Sequence, residues 1–353
     1  MLIYLIHFCL LAIYGFIYVL SPKNKTICLF FVSVSFFQTF LLYALRSPYI
    51  GTDTYSMVGE YMYSGMQLAS KAPLYELIKN VFHWFIPSGQ GYMIMCGLFI
   101  IGGTAYYIYR NSKNVVLSIF LFFTLYFFFQ SMNVARQFIA IVLVANGMVF
   151  LWEHRKLPAI LLFVSALFIH STSALLMPLL LLLLITNTRT KRIFFICYCI
   201  GIACYEPVLN LFTSLFPLYN MYTESGMLFE VGQNRKILLT IFYTFLLVVA
   251  YIVYYKTKHN NTMQENNQWE FLVFSLTATV LIGFLALKSI LLTRIEYYFS
   301  FTLVLFIPLI LSKFKHSNQV LLQPMTYIIM AIPGIFQFMA NFGEIRPYFF
   351  FWK

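Results

Sequence analysis

Asp53 is the only aspartate among 353 residues. It stands in the stretch LRSPYIGTDTYSM, seven residues after Arg46 and flanked by Thr52 and Thr54. Four further ionisable residues are set in apolar surroundings: Arg136 in NVARQFIA, His170 in FIHSTS, and Arg294 with Glu296 in LLTRIEYYF. A carboxylate could take a proton from a hydroxyl if it lies within hydrogen-bond reach and partial burial strengthens its hold on that proton. Arginines could hold a phosphate-rich anion, because the guanidinium offers a planar fork of N–H donors. Arg136 would gain further from a position at a helix start, where free N–H groups and the positive dipole end also attract anions. A histidine could donate a proton or bind a sugar hydroxyl.

Each residue also has a plainer reading. An arginine near a membrane surface can snorkel to lipid headgroups or pair with a neighbouring carboxylate. GTD is a turn sequence in which Asp53 caps the succeeding residues. Glu296 could be held in a salt bridge by Arg294 or Arg46, and His170 could be hydrogen-bonded at a helix break and otherwise silent. Arg136 and Arg294 fit the plain readings least, since ionisable groups within apolar segments are costly and usually face a cavity or a partner.

The elements that must position these residues follow from composition. The chain is 61% hydrophobic and 10% charged, with 40 phenylalanines and 26 tyrosines; its mean hydropathy is +0.81. So few charges cannot cover a soluble surface. Apolar runs recur at lengths suited to a hydrocarbon core of roughly 30 Å. Backbone groups in that core must be satisfied internally, so the expectation is an all-α, polytopic membrane bundle in a single domain. Candidate spans are 2–20, 27–45, 91–109, 115–129, 134–152, the double run 157–186, 193–205, 237–255, 271–287, 297–311 and 321–340. Residues 1–20 lack a basic leader and a small-residue cleavage site, and read as the first span.

Basic clusters separate the spans: Lys23/Lys25, Arg110/Lys113, Arg155/Lys156, Arg189/Lys191/Arg192, Lys256/Lys258 and Lys313/Lys315. If all are cytoplasmic, both termini lie outside, and 157–186 must be two short helices broken or re-entrant around His170. The count is then about 11–12 membrane segments. Arg46, Asp53, Arg136, His170, Arg294 and Glu296 all fall toward the outer ends. Two outer loops are long, 46–90 and 206–236. The first contains APLYELIKNVFHWFIP, where Leu74, Leu77, Ile78, Val81, Phe82 and Phe85 share one face, as in an amphipathic helix lying at the interface over 73–86. The formal net charge of +12 reflects positive loops and an anionic substrate rather than nucleic acid, because no soluble basic domain exists. The six cysteines lie in apolar runs without a disulfide framework. One aspartate and no acidic cluster point to neither a tightly held metal nor a cofactor.

Taken in order, RSPYIGTDTYSM, APLYELIKNVF, NVARQFIAIVLVANGMVFLWEHRKLPAILLFVSALFIHSTSALLMPLLLL and RIEYYF resemble the EpsG family, bacterial polysaccharide polymerases of the Wzy type. The most specific part is Asn133, Arg136, Gln137 and Ala140, followed by Phe168, His170, Ser173, Ala174 and Pro178. The family pattern Arg-x-Gly-x-Gly-Thr-Asp lacks its first glycine here, with Pro48 intruding. Where the family often carries glutamate before the proline of the amphipathic segment, this chain has Ala72 before Pro73, with Glu76 one turn on.

The resemblance implies a multi-span glycosyltransferase of the bacterial inner membrane that joins undecaprenyl-diphosphate-linked oligosaccharides, as in O-antigen or capsule synthesis, with its site facing the periplasm. In that reading Arg136 and Arg294, with Arg46, hold the diphosphate; Asp53 or Glu296 is the base; and His170 positions sugar or phosphate. Thr52, Asn133, Gln137, Ser173 and Tyr297 are expected at the substrate. The expected partners are the lipid-linked oligosaccharide, the bilayer, and a flippase and chain-length regulator of the same pathway. The rival readings are a flippase of lipid-linked sugar, against which counts the lack of paired halves with matching interruptions, and a ligase moving glycan to a different lipid.

Overall fold

The structure is a computed structural model that describes residues 2–22, 24–63, 72–176, 233–287 and 290–352, with Ile200, Cys204 and Pro207. The expected spans at 177–186 and 193–205 and the loop 206–236 fall almost wholly outside the described residues. Among those described, the chain is helical throughout and forms no strand. Eight helices are long and apolar enough to cross a membrane, or nine if one bent pair counts as a span. The protein is a polytopic membrane helical bundle.

The described residues fall into two compact units. The first comprises 1–150, 156–171 and 303–353. Its helices are α1 (Leu2–Leu20), α2 (Lys25–Ala44), α3 (Thr54–Met62), α4 (Pro73–Phe85), α5 (Gly89–Asn111), α6 (Val115–Thr124), α7 (Phe127–Asn133), α8 (Ala135–Trp152, whose end passes into the second unit) and α9 (Lys156–Ile169). The second unit comprises 151–155 and 172–302, with α10 (Gln233–Thr257), α11 (Met263–Leu285) and α12 (Ile290–Ser300). The first unit closes with α13 (Leu303–Ser312) and α14 (His316–Met339).

In the first unit α8 is buried nearly all round, whereas α1 and α14 leave most of their apolar side chains exposed. That pattern is what a bilayer permits: lipid tails replace the protein core around the rim. Around the centre, Phe122, Phe123, Phe128 and Phe129 pack edge-on with one another. Aromatic edges carry the positive side of the ring quadrupole, which favours this geometry over face-to-face stacking.

The sequence reads 115–129 as one span, but the helix bends by 47° between α6 and α7. Tyr126 stands at the bend in a left-handed conformation, φ 70°. Its hydroxyl donates to the Phe342 carbonyl at 2.8 Å, so a distant contact offsets the steric cost of that backbone for a residue with a Cβ. Near His170, α9 stops at Ile169 and a 3-10 turn covers Ser171–Leu176; the partner half of that break lies outside the described residues.

Helix α4 occupies the segment expected to be amphipathic. Leu77, Val81, Trp84 and Phe85 are exposed, while Tyr75 and Lys79 are buried. The polar stripe thus turns inward and the apolar one outward, the reverse of a helix on a soluble protein and the arrangement of one lying against lipid. Lys79 is satisfied by Glu76, 2.5 Å away on the adjacent turn.

One end of the first unit gathers elements distant in sequence. The Tyr4 hydroxyl at the start of α1 donates to the Ile345 carbonyl at 2.9 Å, and the end of α2 meets residues 349–351. The basic residues Lys25, Arg110, Lys113, Lys313 and Lys315 lie at the other ends of α1–α2, α5–α6 and α13–α14.

Candidate functional site

The gathered end is where α2 stops, α3 starts and α7 gives way to α8. After α2, residues 45–53 form turns rather than helix. Gly51 takes φ +99°, a backbone that L side chains rarely adopt. A methyl there would also stand 2.7 Å from Thr54 Oγ1 and 2.8 Å from Asn133 Oδ1. Glycine lets the turn close onto Asn133. The Asn133 carboxamide oxygen then accepts from the Thr52 N–H at 2.7 Å and from its hydroxyl at 3.2 Å. The Thr54 hydroxyl donates to the Met132 carbonyl at 2.9 Å.

Asp53 comes next, at the N-cap position of α3, but its side chain makes no capping bond. It is half-buried and makes no ion pair with any described residue. A carboxylate in the capping position that does not cap is open to another proton donor. The turn is real, and it fixes Asp53 without consuming it.

Three residues beyond Asn133, Arg136 occupies the first turn of α8. Its guanidinium lies over the Tyr75 ring at 5.5 Å, and its Nε is buried without a hydrogen-bond partner. Burial holds the Tyr75 hydroxyl well above the ordinary phenol range, so the ring stays neutral and offers Arg136 its electron-rich face. A cation on an aromatic face still has in-plane N–H groups to give. A buried donor left unsatisfied costs about 1–3 kcal/mol, which an arriving anion would recover. The start of α8 reinforces the field, since its first N–H groups have no intrahelical acceptor.

Arg46 is placed differently. It is fully buried, stacks on Tyr43 at 4.1 Å and donates from Nη2 to the Met132 carbonyl at 3.1 Å; Nε and Nη1 have no partner. It ties the end of α2 to the residue before Asn133. Gln137 and Asn133 are buried and Thr52 is exposed. His170 is buried at the end of α9, where its N–H donates to the Ala166 carbonyl at 2.9 Å. The first unit therefore brings Arg46, Thr52, Asp53, Asn133 and Arg136 into one network of bonds and neighbours, with Gln137 next along α8.

Arg294, Glu296, Tyr297 and Ser173 belong to the second unit. Glu296 is buried and ion-paired with Lys236, the fourth residue of α10. Lys236 is a partner that the sequence reading, with its Arg294 and Arg46, did not name. Arg294 is exposed, Ser173 is buried and Tyr297 is half-buried. The Thr172 and Tyr298 hydroxyls lie 3.3 Å apart. Among the described residues no three His, Cys, Asp or Glu side chains could share a metal ion.

Sequence reasoning missed Tyr75, Lys236 and the Gly51–Asn133 fit. Tyr75 had a faint signal: it sits off the apolar stripe of α4, on the side that must face the protein. Lys236 had none, because it reads as the last residue of the outer loop 206–236.

At one end of this multi-span bundle, then, stand a carboxylate that does not cap its helix and an arginine whose buried Nε has no partner among the described residues. The chain belongs to the EpsG family, whose model matches residues 27–350. That is a bacterial family of Wzy-type polysaccharide polymerase-like proteins, and membership gives the chain a polysaccharide polymerase-type role in general. No curated protein and no solved structure matches it.

Proposed function

We propose that the protein polymerises oligosaccharide repeat units carried on undecaprenyl diphosphate, working at the extracytoplasmic face of the bacterial inner membrane. The hydroxyl oxygen of an incoming repeat attacks the anomeric carbon of the growing chain. The bond from that carbon to the diphosphate breaks, its electron pair leaves with the lipid diphosphate, and the hydroxyl proton passes to Asp53. Arg136, with the first N–H groups of α8, stabilises the negative charge that develops on the leaving group. Direct displacement inverts the anomeric configuration.

The observation that carries this reading is a pair of open groups: among the described residues Asp53 makes no capping bond or ion pair, and the buried Arg136 Nε meets no acceptor. Family membership supports the polymer product. The location of Lys25, Arg110, Lys113, Lys313 and Lys315 away from the Asp53 turn supports the outward sidedness, since positive loops remain cytoplasmic.

The test is Arg136→Ala in the native strain. Membrane insertion should persist and long chains should vanish, while single repeat units still reach the surface. A flippase variant would instead trap single units inside. A normal chain-length ladder would sink the proposal.

A further inference from the structure

The residues beyond α14 return to the Asp53 turn. Ile345 is fully buried, and the segment is bonded along its length. The Gly51 N–H donates to the Glu344 carbonyl at 3.1 Å, the Ser47 N–H to Phe349 at 2.8 Å, and the Phe351 N–H to Leu45 at 3.0 Å. The Tyr348 hydroxyl donates to the Leu42 carbonyl at 2.9 Å. Gly343, at φ +78°, lies so close to Asn133 that a methyl on it would overlap the carboxamide nitrogen.

The turn has few other bonds to hold it. Its own internal pairs are Ile50 N–H to the Ser47 carbonyl at 3.1 Å, and two long ones at 3.4 Å, Tyr49 N–H to the Ser47 hydroxyl and Thr54 N–H to the Gly51 carbonyl. The remaining N–H groups named here, those of Ser47, Gly51 and Thr52, go to residues 349, 344 and 133. Buried backbone donors must be met somewhere, and this loop meets them on the C-terminal segment and on Asn133. Asn133 in turn is sandwiched between two glycines in the left-handed region, Gly51 from the turn and Gly343 from that segment.

We propose that residues 341–352 are a positioning strap for the turn that carries Asp53, with Gly343 acting through Asn133. The strap holds Gly343 against the carboxamide nitrogen and takes the Gly51 N–H, so the carboxamide oxygen grips Thr52 and sets where the next residue points its carboxylate. Gly343 is a positioning residue and touches no substrate. The catalytic half of this proposal rests on Asp53 as the proton acceptor.

Gly343→Ala, Asn133→Ala and their combination, made in the full chain, test it. Hydrogen exchange on purified protein should show amides 47–54 exchanging about tenfold faster in Gly343→Ala, with α6 and α8 as protected as in the parent. With lipid-linked repeat units isolated from a polymerase-deficient strain, turnover should fall by up to ~10²-fold at nearly unchanged KM. Adding Gly343→Ala to Asn133→Ala should change either quantity by less than ~2-fold, because the group that the methyl displaces is already gone. Unchanged exchange in Gly343→Ala, or an undiminished effect on the Asn133→Ala background, overturns the strap. Faster exchange with normal turnover overturns its service to catalysis. Normal turnover in Asp53→Asn would instead overturn the function proposed for Asp53, and exchange would still report on the strap.

Discussion

Asp53 and Glu296 are the two carboxylates that the sequence offers as bases, and their surroundings differ in kind. Asp53 sits half-buried on a turn bonded to residues 344 and 349, and its side chain makes no capping bond and no ion pair among the described residues. Glu296 is buried within α12 and ion-paired with Lys236 of α10. A base must be able to accept a proton from substrate, whereas the Glu296 carboxylate is already engaged by the Lys236 ammonium. The difference teaches that apolar surroundings do not distinguish a reactive group from a structural one. What distinguishes them is whether the protein has already used the group.

The sharpest way to break this comparison is to neutralise each carboxylate without changing its shape. Asp53→Asn should lower repeat-unit addition by about 10²–10⁴-fold, the usual contribution of a positioned base. Glu296→Gln, normalised to inserted protein, should stay far closer to the parent. If Glu296→Gln proves the more damaging per molecule, the two roles must be exchanged.

The next effect is on stability. Glu296→Ala leaves the partly buried Lys236 without this carboxylate and should cost up to about 3 kcal/mol, the low end for a buried pair, read as a lower Tm and less protein in the membrane. Replacing both partners by apolar residues, Lys236→Met with Glu296→Leu, should recover much of that loss, because neither charge is then desolvated. A double variant as unstable as Glu296→Ala would show that the pair does more than neutralise itself.

A smaller effect is expected at Tyr75. Tyr75→Ala removes the ring beneath Arg136 and should weaken substrate binding by about 0.5–2 kcal/mol, the range for a cation on an aromatic face. Tyr75→Phe keeps the face and should match the parent in KM. Equal losses in both variants would shift the role from ring to hydroxyl.

The smallest effect concerns Trp84, exposed on the outward stripe of α4. Trp84→Leu should alter stability by no more than ~0.5 kcal/mol, as for other substitutions away from packed contacts. The fluorescence of Trp84 should be quenched by brominated lipid tails, and the loss of that quenching in the variant assigns the signal. Absence of quenching would mean that α4 is covered by something other than lipid.

Much of this architecture was legible in the sequence. Residues 2–20 read as a span and form α1; the apolar stripe of 73–86 read as an amphipathic helix and forms α4. Both rest on local periodicity, which the chain carries in plain view. The turn at Gly51–Asp53 was also readable, because glycine and aspartate mark turns by their own backbone preferences. The bend at Tyr126 was not, since FFTLYFFFQ is apolar on both sides and contains neither glycine nor proline. Its cause is a hydroxyl reaching Phe342. Likewise Arg46 and Arg136 look alike as letters in apolar text, yet Arg46 is fully buried on Tyr43 with Nη2 bonded to the Met132 carbonyl, whereas Arg136 lies on Tyr75 in the first turn of α8. Such differences arise from contacts between distant segments, and local pattern does not encode them.

The bonds from Ser47 and Gly51 to residues 349 and 344 also order events in time. Translation runs from the amino end, so α1 to α3 enter the membrane long before the segment that braces them leaves the ribosome. Contacts of such long separation form late. A nascent chain would then hold Asp53 loosely until residues 341–352 have been made and have docked on the turn.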